Sequence, residues 1–142
     1  MIVPDINLLL YAVITSFPQH PKAREWWERT VNTAPEIGLA APALFGFLRL
    51  VTNPHVLETP LRVEAALAYV RDWLEQPNVQ FLNPGTRHLE IAFGMLESIG
   101  TARNLTTDVQ LAAHATELDA ELHSNDTDFG RFAGLRWVNP LG

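Results

Sequence analysis

Apolar residues along this chain alternate between short continuous runs and helical spacing, and proline marks most of the changes. The opening run MIV stops at Pro4 and Asp5, which predicts a buried strand ending just before a helix. From Asn7 the run LLLYAVI reads as a buried helix. After the Phe17-Pro18 break, Pro21 opens a second helix over 21–31, and Pro35 closes the region. Ile37–Ala40 predicts a short strand, and Pro42 suits the first turn of a helix that runs to Thr52 and is stopped by Asn53 and Pro54. Val63, Ala66, Leu67, Val70 and Leu74 recur at helical spacing, as do Leu89, Ala92, Phe93 and Leu96, with a strand at Val79–Leu82 between them. A helix from near Thr107 carries Leu111, Ala112, Ala115 and Leu118 on one stripe, and Asp108 heads that stripe. Short strands at Glu121–His123 and Arg136–Val138 flank a small helix at 129–132.

Strands alternating with helices throughout indicate an α/β fold with a mainly parallel sheet. Such sheets bind ligands beyond the carboxyl ends of their strands, where the strand order reverses. Asp5 and Asp126 are expected at that edge. No repeat, low-complexity segment or linker interrupts the chain, so 1–142 reads as one domain.

Composition narrows this picture. With 142 residues, 47% of them hydrophobic, the chain can bury a core without staples. It has no cysteine, which excludes disulfides and thiolate metal sites and makes the cytoplasm the expected compartment. The apolar stretch near the N-terminus is short and follows Pro4, Asp5 and Asn7, which argues against a signal peptide or a membrane span. A net charge of −6 gives no global attraction to nucleic acid, so such binding would need local arginines and a cation. Lys22 is the only lysine, leaving arginine for any phosphate contact.

The candidate chemistry lies in Asp5, Asp108 and Asp126, with Asp128 two positions beyond the last. Each has an ordinary alternative. Asp5 is a good helix N-cap; Asp108 favours a helix N-terminus that Thr106 or Thr107 would cap; Asp126 and Asp128 suit a turn. A parallel sheet would nevertheless bring these separate carboxylates to one end, where like charges cannot all stay ionised without compensation. Oxygen-only ligands favour a hard ion such as Mg²⁺ or Mn²⁺, leaving room for a phosphate oxygen and an attacking water.

The segments MIVPDINLLLYA, FLRLVTNPHV, TTDVQLAAHATELDAELHSNDTDFGRF and GLRWVNPL, in this order and spacing, resemble the VapC toxins, PIN-domain ribonucleases of bacterial toxin–antitoxin pairs. The resemblance implies a PIN-like three-layer α/β/α sandwich, Mg²⁺- or Mn²⁺-dependent cleavage of RNA, homodimerisation, and inhibition by a cognate VapB-type antitoxin. Structured RNA with an exposed loop, notably tRNA, is the implied substrate. By motif position, the catalytic and metal-binding residues are Asp5, Asp108 and Asp126, with Asp128 in support.

One position departs from the pattern. Many PIN domains carry a glutamate in the helix after the second strand, and the FLR element aligns it with Gly46. Gly46, Arg49 and Asn53 share a helical face, so Gly46 is expected to leave room for Arg49, a phosphate or a water. Arg49 is the candidate phosphate contact, ahead of Arg131. Neither Glu90 nor Glu97 is assignable as a replacement carboxylate. His114 and His123 read as structural histidines. Trp26 and Trp27 point about 100° apart on a helix, so one is expected in the core and the other at a groove seating an antitoxin helix. Two other readings stay open: a phosphoacceptor domain, which lacks its usual late lysine here, and a catalytically weak PIN-like module acting mainly through antitoxin binding.

Overall fold

In the computed structural model, which describes residues 1–142, five short strands form one sheet: β1 (Ile2–Pro4), β2 (Ile37–Ala40), β3 (Val79–Leu82), β4 (Glu121–His123) and β5 (Arg136–Val138). Their order in space is β3-β2-β1-β4-β5, and every pairing is parallel. The chain builds outward from β1 in one direction through β2 and β3, then returns to lay β4 on the other side of β1. The order therefore reverses between β1 and β4, whose register sets Pro4 opposite His123. Asp5 and Ser124, the next residues of each strand, emerge side by side at the carboxyl end of that junction.

Six helices make the outer layers of a three-layer α/β/α arrangement: α1 (Ile6–Val13), α2 (His20–Thr33), α3 (Ala41–Val51), α4 (Val63–Glu75), α5 (His88–Ile99) and α6 (Thr106–Glu117). Pro21 and Pro42 stand in the first turns of α2 and α3, where a missing N–H costs nothing. Gly100, at φ 87°, ends α5 in the left-handed conformation that glycine adopts most readily. The small helix expected at 129–132 is a 3₁₀ turn at Thr127–Arg131.

Strand β2 is wholly buried, and an aromatic chain ties the helices above it together. Trp26 and Trp27 have ring centroids 5.6 Å apart, Trp27 and Trp73 5.7 Å, and Trp73 and Phe47 4.8 Å. The expectation that one of the paired tryptophans borders a partner groove is wrong, for Trp26 is 2% and Trp27 8% exposed. Trp26 packs on His123 of the sheet while Trp27 fills the seam between α2 and α4, so neighbouring positions both find cover.

Two predicted stripes are displaced and a third ends early. In α4 the buried residues are Ala66, Val70 and Trp73, with Val63 and Leu74 exposed. In α5 only Ala92 of the predicted stripe is buried; Leu89 and Phe93 face outward. In α6 the stripe holds through Leu111, Ala112 and Ala115, but Leu118 lies past the helix end and is exposed.

Candidate metal centre

Asp5 closes β1 and caps α1 at once. Its backbone N–H donates to the His123 carbonyl across the strand junction at 2.9 Å, and its Oδ1 accepts from the Ile6 N–H at 2.7 Å. Its Oδ2 accepts from the Ser124 hydroxyl at 2.7 Å. Ser124 is fully buried, and its oxygen also accepts from the Asp126 N–H at 2.9 Å and from the Asn7 amide at 3.3 Å. One hydroxyl thus couples the acid after β1 to the loop after β4. Sequence reasoning missed Ser124 and Asn7, since neither carries charge; their signal was position alone, each within two residues of a candidate aspartate.

Asp126 is the N-cap of the 3₁₀ turn, its Oδ1 accepting from the Asp128 N–H at 2.9 Å. The capping readings of Asp5 and Asp126 and their place at the sheet edge hold together: the cap fixes the carboxylate that the strand end delivers. Asp108 differs. It stands in the first turn of α6 behind Leu105, the N-cap residue, so neither Thr106 nor Thr107 caps this helix. Helix α6 packs against β1 and β4, which brings Asp108 to the same end of the sheet.

The electrostatics show the convergence. Burial, and then the charges of Asp5, Asp126 and Asp128, push the Asp108 carboxyl up to about 7. Burial also raises Asp5, against the opposing hydrogen bonds from Ser124 and Ile6. None of the four aspartates takes part in an ion pair with lysine, arginine or histidine. Neither Glu90 nor Glu97 is among the groups that raise Asp108.

No three of these side chains stand ready at ligating distance around a common point. The donor set still fits a hard divalent cation, because Mg²⁺ keeps most of its waters and needs only one or two carboxylates directly. Asp5 and Asp108 would hold it, with Asp126 and Asp128 adding negative field. Such an ion would supply the compensating charge that the protein does not.

Gly46 does not leave a vacancy. A Cβ there would run into Ile6 Cδ1 and stand 2.8 Å from Ile6 Cγ1, so Ile6 occupies the space next to the helix where a side chain would begin. Arg49 is exposed, free of ion pairs, and lines a groove with Gly46. Arg131 lies elsewhere, beside a cavity against α5.

His123 and His114 are packed against other rings. The Trp26 indole N–H donates to His123 Nδ1 at 3.1 Å; an indole can only donate, so neutral His123 carries its proton on Nε2, 3.4 Å from Glu121 Oε1. His114 packs against His88 with ring centroids 4.4 Å apart, and burial, then His88, lowers it to about 4.

A PIN domain family model matches residues 2–135. Ribonuclease VapC33 of Mycobacterium tuberculosis is 63% identical over 141 residues, covering 99% of both chains. Ribonuclease VapC37 of the same species is 41% identical over 140 residues, covering 99% of this chain and 97% of that protein. Among solved structures, VapBC2 from Rickettsia felis bound to a DNA fragment from its promoter has a TM-score of 0.72 at 17% identity, covering 98% of each chain. VapC20 of Mycobacterium tuberculosis, a sarcin-ricin loop cleaving toxin, has a TM-score of 0.67 at 15% identity, covering 96% of this chain and 99% of that one.

Proposed function

This chain belongs to the VapC family of PIN-domain proteins, and from that membership we propose that it is the toxin of a toxin–antitoxin pair, a metal-dependent endoribonuclease. The observation that carries the chemistry is the uncompensated group of four aspartates at the strand-order switch. Bound Mg²⁺ or Mn²⁺ would lower the pKa of water and draw off phosphate charge. The protein's part is to hold Asp5 through Ser124, to present Asp108 from the first turn of α6, and to offer Arg49 to a phosphate. Water attack would leave a 5′-phosphate and a 3′-hydroxyl.

The substrate we assign is RNA with an exposed loop, tRNA first, and the cytoplasm is the matching compartment. No helix is long and apolar enough to cross a membrane. A VapB-type antitoxin is the proposed partner, in line with the VapBC complexes of the same fold. For a homodimer, the supporting feature is the outward pair Leu89 and Phe93 on α5, 61% and 48% exposed.

The test is cleavage of total RNA by antitoxin-free protein, with Mg²⁺ or Mn²⁺ against chelator, beside Asp5→Ala and Asp108→Ala. Discrete metal-dependent cuts lost in both variants are expected. The packing of Ile6 at Gly46 favours a second reading, a weak catalyst that acts chiefly by binding its antitoxin. Single-turnover cleavage that stays at the chelator background would select it.

A further inference from the structure

Beside the acidic group, α3 and the first turns of α6 enclose a groove of about 400 Å³ that the metal-centre chemistry leaves unused. Ile6 and Thr107, the chain neighbours of Asp5 and Asp108, both line it, so the groove lies one residue away from those carboxylates along each helix, although neither carboxylate lines it. Its outer wall is Phe45, at 69% the most exposed of the large hydrophobic side chains. Arg49 follows Phe45 by one helical turn on the same face and has no carboxylate partner. Opposite stands Gln110, whose Nε2 donates to the Thr106 carbonyl at 2.8 Å; this fixes the amide and leaves its Oε1 free to accept.

We infer that this groove receives one unpaired nucleotide next to the scissile phosphate, its base stacked on Phe45, its phosphate on Arg49, and its edge against Gln110 and Thr107. The inference rests on the RNA-cleaving reading and names what that site recognises. An exposed aromatic ring gives stacking to any base, and an adjacent guanidinium gives the backbone its counter-charge, the pairing that single-stranded nucleic acid requires. A docked protein helix would instead need a row of apolar anchors at successive turns. Besides Ile6, Ala41 and Pro42, this groove offers one exposed aromatic residue, a cation and an amide, and the positions one turn to either side of Phe45 are Ala41 and Arg49 rather than large apolar anchors. An unpaired base can enter such a groove without the cost of leaving a duplex stack, which favours loops and single strands over duplex RNA.

The experiment mixes wild type, Phe45→Ala and Phe45→Trp with single-stranded octaribonucleotides carrying one 2-aminopurine, in Mg²⁺, following fluorescence by stopped flow and cleavage in the same reaction. Wild type should change 2-aminopurine fluorescence on binding and cut beside that position. Phe45→Ala should lose the fluorescence change and fall roughly 10- to 100-fold in kcat/KM, with Mn²⁺ affinity unchanged, and Phe45→Trp should restore both. A Phe45→Ala protein that binds and cuts RNA like wild type overturns the inference while the nuclease reading stands. So does one whose only loss is affinity for a purified VapB-type antitoxin, which would assign the groove to the protein partner. Fluorescence changes that depend on Phe45 without any cleavage have the opposite meaning: the nucleotide groove stands and the nuclease reading fails.

Discussion

Ile6 and Gly46 are matched by volume: the isoleucine side chain fills the space that any side chain at position 46 would have to enter, with Cγ1 only 2.8 Å from where a Cβ would sit. Ile6 follows Asp5 directly, so a clash there would disturb the cap of α1 and the carboxylate it orients.

Gly46→Ala should therefore lose stability despite the helix propensity gained. Overpacking of about 1–3 kcal/mol opposes roughly 1 kcal/mol from replacing a helical glycine, for a net loss on the order of 1 kcal/mol. Urea denaturation of Gly46→Ala, Ile6→Ala and the double variant should give a coupling energy above about 0.5 kcal/mol. Additive effects would show that the two residues do not share that space.

The same pairing governs whether the usual carboxylate can be put back. Gly46→Glu alone should fold poorly or leave Mn²⁺ affinity unchanged, while Gly46→Glu with Ile6→Ala should tighten it at least several-fold. Calorimetric titration with Mn²⁺ at constant pH measures this. Equal affinities in wild type and the double variant would mean that position 46 does not address the metal.

Ser124→Ala should cost about 1–3 kcal/mol, since it strips partners from a buried Asp5 oxygen and from the Asp126 N–H. Losing the Ser124 hydrogen bond should also raise Asp5 further and weaken Mn²⁺ binding near pH 6.5. Thermal melts and a metal titration report the two effects separately.

How far the sequence reached can be seen residue by residue. Strand and helix ends were readable because Pro4, Pro42 and Asn53 punctuate the apolar runs, and the ends of β1 and β4 located Asp5 and Asp126. Periodicity does not say which edge of an apolar stripe meets the core, so Leu89, Phe93 and Val63 were expected inside and lie outside. Ser124 was illegible, because a hydroxyl gains its role only when β1 and β4 are side by side. Gly46 was noticed as a lost carboxylate, but the isoleucine replacing that volume lies 40 positions earlier, and only packing relates the two.

With His114→Phe removing a histidine that acts with the opposite sign, the metal-free protein should grow less stable as pH rises from about 4 to about 7. Asp108 sits at 3.8 when unperturbed and about 7 when folded, so the folded state holds the extra proton across that range and loses its advantage as pH passes the folded value. Asp108→Asn should flatten this slope and stabilise the protein at pH 8 by roughly 1–3 kcal/mol, allowing for solvent screening. Saturating Mg²⁺ should reverse the slope in His114→Phe. Urea midpoints from pH 4 to 8 test all three.

His114 acts with the opposite sign. Its folded value of about 4 lies below the usual 6.5, so the stability it lends is full above 6.5 and disappears as pH falls through 4. In the Asp108→Asn background, the remaining acid sensitivity between pH 6.5 and 4 should be removed by His114→Phe. Persistence of that slope would trace it to another group.

Strand β5 gives the reversed strand order a temporal meaning. The Ser124 carbonyl accepts from the Trp137 indole at 3.0 Å and its N–H donates to the Val138 carbonyl at 3.0 Å, so the residue steadying Asp5 is itself held by the strand made last. A ribosome translating this chain would carry Asp5 for most of the synthesis without the hydroxyl that orients it. The support of Asp5 through Ser124 is complete only once residues 136–138 have paired with β4.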